Sequence, residues 1–207
     1  MRFIVKTTPE EVVRARKWWN DLEMQWKMAY NEAVFGKGPT IEPPKEDEMM
    51  MLVIGIDTLR FAGPLAPNPN ITSPLTNLSG LIPLYQLTYL SVSHMRIRSL
   101  KELYRFTKME HLFLYDNQLE SIEGIEKMAS LKNLYLQNNN INNLTAIKKL
   151  THIHTLYVSG NKFQKISGLT KKHAKSLKKF YVMPNDDLPD SEVIRIQNKL
   201  GILCRTG

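Results

Sequence analysis

The pattern of hydrophobic and polar residues along this chain repeats in blocks. From Met109 to His152, two consecutive blocks place apolar residues at the same offsets, with a period of 22 residues. In the second block Leu134 and Leu136 alternate with polar or aromatic neighbours, which predicts a short strand whose leucines face inward. After a turn at Asn139, apolar residues recur at every third place, a spacing that favours 3₁₀ turns or irregular coil. One such coil cannot bury its own apolar edge, so the pattern predicts stacked coils.

The same period extends in both directions from this pair. The earliest strand, residues 58–62, precedes a proline-rich insertion over residues 63–74. Asparagine occupies the turn that follows the strand, where its amide can satisfy backbone groups, and Met95 is the one exception in the array. The pattern predicts six parallel strands, with centres near Arg60, Ser91, Phe113, Tyr135, Tyr157 and Tyr181.

The repeat, L-x-x-L-x-L-x-x-N-x-[LI] followed by an apolar residue at every third place, resembles the leucine-rich repeat family. It is most similar to the 22-residue class, such as the bacterial internalins. The resemblance implies an α/β fold: a horseshoe solenoid with a parallel sheet on the concave face and irregular or 3₁₀ segments on the convex side. It also implies a bacterial, non-enzymatic interaction protein that binds a protein or peptide, but it identifies no partner.

Segments without the repeat flank the array. We predict a helical N-terminal cap over residues 1–56, repeats over 57–188, and a C-terminal cap helix and tail over 189–207. In the last segment, Pro189 favours a helix start and Gly201 a helix end.

The N-terminal cap is rich in tryptophan and carries two helix-start signals. Thr8, with Pro9 after it and Glu11 three places on, forms a capping-box pattern, and a second start is predicted at Asn20. A ligand site is one interpretation of the large aromatic residues, but coverage of the exposed end of the core is the favoured one. These residues are Trp18, Trp19 and Trp26.

Motifs of catalysis and membrane insertion are absent from the sequence. It contains no glycine-rich phosphate loop, no cysteine cluster with metal-ligand spacing and no G-x-S-x-G, so we predict no enzyme, cofactor or metal. The single cysteine, Cys204, lies in an apolar run, which favours a buried, inert thiol. With no apolar run of membrane-spanning length and no export signal evident, the sequence predicts a cytoplasmic protein without a membrane partner.

Two histidine arrangements have a chemical and a simpler interpretation. His94 and Asp116 share an offset in adjacent coils, so they should lie about 5 Å apart and form a surface ion pair rather than a catalytic dyad. His152 and His154 are spaced for a metal, but with no third ligand evident we interpret them as solvent-exposed.

The outward face of the strands is the predicted binding surface. The residue between the two inward strand residues is aromatic in four successive coils, and polar or aromatic residues run on either side. Two interpretations stay open: these aromatics bind a partner, or they only pack against each other across the ladder. The candidate binding residues are Tyr89, His111, Phe113, Tyr115, Tyr135, Gln137, Tyr157 and Tyr181.

Charge is unevenly distributed and suggests an alternative partner. Residues 1–147 hold 16 basic and 16 acidic side chains, whereas residues 148–207 hold 12 and 4, so the whole net charge of +8 lies in the second segment. A polyanion such as nucleic acid could bind there, although a solvated, solubilising edge is the commoner reason for such a run. The densest basic patch consists of Lys171, Lys172, Lys175, Lys178 and Lys179.

Overall fold

One parallel sheet, whose strands follow chain order, forms the centre of the molecule. The computed structural model describes residues 7–207, so residues 1–6 of the predicted cap lie outside the described range. The six predicted strands are present and each pairs in parallel with the next, which confirms the solenoid. A seventh strand extends the sheet. The strands are β1 Thr58–Ala62, β2 Tyr89–Ser93, β3 His111–Phe113, β4 Asn133–Tyr135, β5 Thr155–Tyr157, β6 Lys179–Met183 and β7 Cys204–Thr206.

The core lies between the sheet and the convex returns of the coils. Leu134 and Leu136 are fully buried, and so are Leu144 and Ile147 on the return. Burial of each such side chain favours folding by about 1.5–3 kcal/mol. The returns contain the expected 3₁₀ turns, Ser79–Leu81, Lys101–Leu103, Thr145–Lys149 and His173–Lys175.

Asparagine at the turn ties neighbouring coils together. The Asn139 amide nitrogen donates to the Leu114 carbonyl of the preceding coil at 2.9 Å and to the Leu136 carbonyl at 3.0 Å. Its Oδ1 accepts from the Leu119 N–H at 2.9 Å. These bonds satisfy backbone groups that would otherwise be buried without partners. The same arrangement recurs at Asn117 and Asn161.

Met95 replaces the turn asparagine in one coil and takes over only part of its role. Its Sδ lies 3.3 Å from the Leu75 N–H, the place where an asparagine Oδ1 would accept. A thioether cannot donate, so the carbonyl contacts of the amide are lost there.

The residue before the turn position has a left-handed backbone in four successive coils: His94, Asp116, Asn138 and Gly160 have φ of 57°, 54°, 57° and 64°.

Three short helices precede the sheet. Thr8 caps the first helix and forms the predicted capping box with Glu11. The predicted second start at Asn20 is wrong, because the first helix continues to Asp21, where its last turn carries a 2.7 Å Lys17–Asp21 ion pair. The backbone becomes extended only at Leu22. The helices are α1 Pro9–Asp21, α2 Met24–Ala33 and α3 Glu46–Met50, which continues into a π turn, Met51–Gly55.

Helix α2 packs against β1. The rings of Trp26 and Tyr30 lie 5.4 and 5.6 Å from the ring of Phe61, centroid to centroid. Tyr30 donates its hydroxyl to the Gly80 carbonyl at 2.9 Å. Gly80 must lack a side chain, because a Cβ there would lie 2.2 Å from the Trp26 ring. Trp19 is also buried, so two of the three tryptophans belong to the core.

The far end of the array carries a helix and the last strand. Helix α4, Asp190–Arg195, continues into a π turn, Ile196–Leu200, and ends at Gly201, whose φ of 72° suits glycine. Ile196 is fully buried against the last coil. No helix between residues 7 and 207 is long and apolar enough to cross a membrane.

Candidate binding surface on the concave sheet

A row of outward-facing residues crosses the sheet from β3 to β6. Register places Phe113 beside Tyr135, Tyr135 beside Tyr157, and Tyr157 beside Tyr181. We call these four residues the aromatic column. They alternate along each strand with buried core residues, because successive side chains of a strand face opposite sides of the sheet.

The rings of the aromatic column pack on one another. Phe113 stacks on Tyr135 at 4.7 Å between centroids, and Tyr157 lies 4.8 Å from Tyr181. The middle pair, Tyr135 and Tyr157, is more open, at 5.8 Å with the rings tilted by 55°. All four side chains are therefore half-buried rather than fully exposed. The rings contact each other, as packing across the ladder requires, and they are also partly exposed, as partner binding requires.

Tyr89 of β2 extends the aromatic column beyond Phe113. Ser91 provides no ring at the matching place in β2, and Tyr89 instead lies 5.1 Å from Phe113. Loss of water contact raises the pKa of the Tyr89 hydroxyl. Beside it, His111 Nδ1 lies 2.8 Å from the Asn133 amide nitrogen, so a polar edge borders the rings.

The other edge of the column is formed by Tyr115 and Gln137. Tyr115 meets the ring of His94 edge to face at 5.5 Å. The Gln137 Oε1 is buried and accepts no hydrogen bond from the described part of the chain. Each lies two residues after a member of the aromatic column, Phe113 or Tyr135, and each is half-buried.

The C-terminal tail reaches the column at its β6 end. Arg205 of β7 pairs with Tyr181, and the Gly207 N–H donates to the Met183 carbonyl at 2.9 Å. A Cβ on Gly207 would lie 2.3 Å from the Tyr157 hydroxyl, so the tail backbone touches that ring. The tail therefore borders Tyr181 and also contacts Tyr157, whereas Tyr89 borders the other end of the aromatic column.

Comparisons with known proteins agree with this architecture. The family model described as Leucine Rich repeats (2 copies) matches residues 129–171. The structure of an internalin from Listeria monocytogenes superposes with a TM-score of 0.54 and 23% identity, covering 69% of this chain and 46% of that one. The chain has the leucine-rich repeat fold. A leucine-rich repeat protein of Leptospira interrogans gives a TM-score of 0.53 and 23% identity, covering 62% of this chain and 33% of that one.

This leucine-rich repeat chain spans less than half of the length of either of these two structures. A search of curated protein sequences gives no significant match. The likeness therefore establishes the repeat fold, and the partner has to be inferred from the surface of this chain.

The leucine-rich repeat array places His94 and Asp116 as neighbours. Their Nε2 and Oδ2 atoms lie 3.3 Å apart, and Asp116 Oδ1 accepts from the Asn138 amide at 2.8 Å. Ser93, the residue before His94, is buried, and no hydrogen bond joins its hydroxyl to His94 within the described residues. The arrangement is a polar contact that links three left-handed turns at the rim of the sheet. Among residues 7–207 no three His, Cys, Asp or Glu side chains are grouped to hold a metal, and His152 and His154 are exposed.

The lysines of the basic patch are divided between two successive elements. Lys171, Lys172 and Lys175 surround the convex 3₁₀ turn before β6, whereas Lys179 begins β6 itself. All five predicted lysines are exposed, and Lys178 donates to the Lys175 carbonyl at 3.0 Å. His173, within the same run, is fully buried and its Nε2 lies 3.1 Å from the Ile147 carbonyl.

Cys204 lies at the start of β7 and is buried. Burial raises the pKa of its thiol to about 11. The group is therefore protonated and weakly reactive at neutral pH, which agrees with the interpretation as an inert thiol.

Sequence reasoning missed two contributions to the surface. Arg205 and Gly207 join the aromatic column only because β7 extends the sheet past the last repeat. The apolar run Ile202, Leu203 and Cys204 was the available signal for a last strand, which the structure places at Cys204–Thr206.

Proposed function

We propose that this leucine-rich repeat chain is a non-enzymatic interaction module that binds a protein or peptide on its concave face. The observation that supports the proposal is the aromatic column, a continuous row of four half-buried rings with centroids 4.7–5.8 Å apart. Tyrosine provides large contact area at low entropic cost and is enriched at the centres of interfaces. Solenoids commonly bind partners on such concave surfaces.

The competing explanation is that the rings only stabilise the sheet. Cross-strand aromatic contacts contribute about 0.5–1.5 kcal/mol each beyond simple burial, so packing alone would account for their presence. Binding and packing make opposite predictions for truncation of Tyr135 and Tyr157, the more open middle pair.

The test uses peptides selected from a random displayed library against the immobilised chain. Affinity for the selected peptides is then measured for wild type, Tyr135→Ala and Tyr157→Ala, with thermal melting of each variant. We expect each truncation to weaken binding by about 1–3 kcal/mol, the usual cost at a central interface tyrosine. Tyr104→Ala is the matched control, because Tyr104 is 53% exposed and follows a convex turn.

Three results would argue against the proposal. Lowered melting temperatures with unchanged peptide affinity would assign the rings to packing. An equal loss in Tyr104→Ala would move binding to the convex side. Failure to select any peptide that competes for the concave face would leave the column without a ligand of this class.

A polyanion bound by residues 148–207 is the alternative. It has less support, because the exposed lysines are divided between a convex turn and the start of β6. Its salt dependence separates it from peptide binding.

A further inference from the structure

A second candidate site lies on the side opposite the concave sheet. A cleft of about 570 Å³ separates α1 and the π turn after α3 from the convex returns of two coils. Small-molecule sites commonly have volumes of roughly 300–1,000 Å³, so the cleft is large enough for such a ligand. It shares no lining residue with the aromatic column.

The wall of the cleft is apolar and partly open to water. Ile54, Ile82 and Tyr85 line it and are 39%, 44% and 47% exposed, while Met50 lies buried beneath them. Scattered exposed apolar residues are ordinary, but three around one concavity form a patch of the kind that binds ligands.

Three side chains that line the cleft carry hydrogen-bond donors without a partner among the described residues. The Trp18 Nε1 is buried and has no partner among residues 7–207, which is an unusual state for an indole N–H. The Arg105 guanidinium lies 4.9 Å from the Tyr85 ring centroid, a contact that holds it at the rim. Arg14 of α1 also lines the cleft, and neither arginine forms a salt bridge within the described residues.

One carboxylate lines the cleft, but it is already engaged. Glu11 Oε2 accepts from the Thr8 N–H at 2.8 Å and from the Thr8 hydroxyl at 3.1 Å as part of the capping box. These bonds orient Glu11 towards the helix N-terminus.

We propose that the cleft binds a small-molecule carboxylate with an apolar body. The apolar part packs against Ile54, Ile82 and Tyr85. The carboxylate accepts from the Trp18 indole N–H and is neutralised by Arg14 and Arg105. This inference is independent of the function proposed for the concave face.

The experiment titrates the full chain with octanoate and follows the three indole N–H resonances by ¹H–¹⁵N NMR. Trp18→Phe assigns the reporter. The Trp26 N–H serves as an internal reference, because it already donates to Asn77 Oδ1 at 3.2 Å. We expect a saturable shift of the Trp18 resonance, a stationary Trp26 resonance, and at least roughly tenfold weaker binding of 1-octanol and octylammonium.

Variants test the two charges. Arg14→Gln and Arg105→Gln should each weaken octanoate binding roughly tenfold, because each removes a charge-assisted partner. Arg98→Gln is the matched control, since Arg98 is exposed and lies outside the cleft, where it donates to Gln118.

Several outcomes would overturn the inference. Equal binding of octanoate, octanol and octylammonium would show an apolar groove without carboxylate selectivity. An unchanged octanoate affinity in both arginine variants, or a Trp18 resonance that does not move, would show that these donors hold no carboxylate. None of these results bears on peptide binding by Tyr135 and Tyr157.

Discussion

At the scale of single residues, the turn asparagine contributes more to the array than its polar character suggests. Asn139 is 5% exposed. Its side-chain amide forms hydrogen bonds with backbone groups of two coils that have no partner in a strand or helix. A hydrophobic residue of similar size keeps the packing but cannot donate, as Met95 illustrates with its single accepted hydrogen bond from Leu75. The pattern of leucines sets the period, whereas the asparagines satisfy the backbone where the chain leaves each strand.

Replacement of Asn139 by alanine should destabilise the chain by about 2–4 kcal/mol, because several buried backbone groups lose partners together. Chemical unfolding followed by circular dichroism measures the change. Asn140→Ala is the control, since Asn140 is exposed in the same turn and should change stability by less than about 0.5 kcal/mol. Equal effects of the two substitutions would show that the Asn139 amide bonds contribute nothing specific.

At the scale of elements, each end of the sheet is held by a helix through both packing and hydrogen bonds. Helix α2 covers β1 with Trp26 and Tyr30, and the Tyr30 hydroxyl donates to the Gly80 carbonyl. Helix α4 is attached to the last coil by a polar clamp. Glu192 Oε2 accepts from the Ile166 N–H at 3.2 Å, and Arg195 donates to the Ile166 carbonyl at 3.0 Å.

The α4 clamp should make stability depend on pH. The hydrogen bond from Arg195 is the main reason that the pKa of the Glu192 carboxyl lies below its usual range. A carboxyl whose pKa is lowered by folding stabilises the chain above the unfolded pKa of about 4.3, and that contribution is lost as pH falls through the folded pKa. Glu192→Gln should therefore cost about 1–2 kcal/mol at pH 7 and progressively less below pH 4.

Urea unfolding of wild type and Glu192→Gln across pH 3–7 measures this difference. Glu120→Gln, at an exposed position in the repeats, serves as the control. A stability difference that stays constant from pH 7 to pH 3 would show that Glu192 contributes packing rather than its charge.

At the scale of the whole molecule, the sequence predicted the features that repeat and missed those that join distant segments. A period of 22 residues predicted strands β2 to β5 and their parallel register, because every coil must present the same residues to its neighbours. The same apolar pattern located β1 before the proline-rich insertion and β6 after a shift of two residues. The cleft beside α1 is lined by both Trp18 of α1 and Arg105, which follows a convex turn, and no local sequence pattern links the two. The same holds for Gly207, which contacts Tyr157 only through the added strand β7.

The basic patch shows the same limit, because a run of lysines in sequence does not determine which way each side chain faces. The turn His173–Lys175 buries its histidine and points its neighbours outward on the convex side, while Lys179 lies beside Thr155 in the sheet. A polyanion on one face would therefore meet only part of the net charge of +8. Three lysines, Lys171, Lys172 and Lys175, lie at or beside this turn.

This arrangement predicts weak and shallow salt dependence for nucleic-acid binding. Neutralisation of about three phosphates gives a slope of log K against log salt of roughly −3, far less steep than for proteins that contact many phosphates. Titration of the chain with a mixed-sequence DNA duplex at several salt concentrations measures it, and Lys171→Gln with Lys172→Gln should flatten the slope by about 2. A slope steeper than roughly −6 would mean that lysines of both faces converge on one ligand, and the polyanion alternative would then displace peptide binding as the leading function. A shallow slope, together with peptide affinity that is insensitive to salt, would keep the aromatic column as the principal surface.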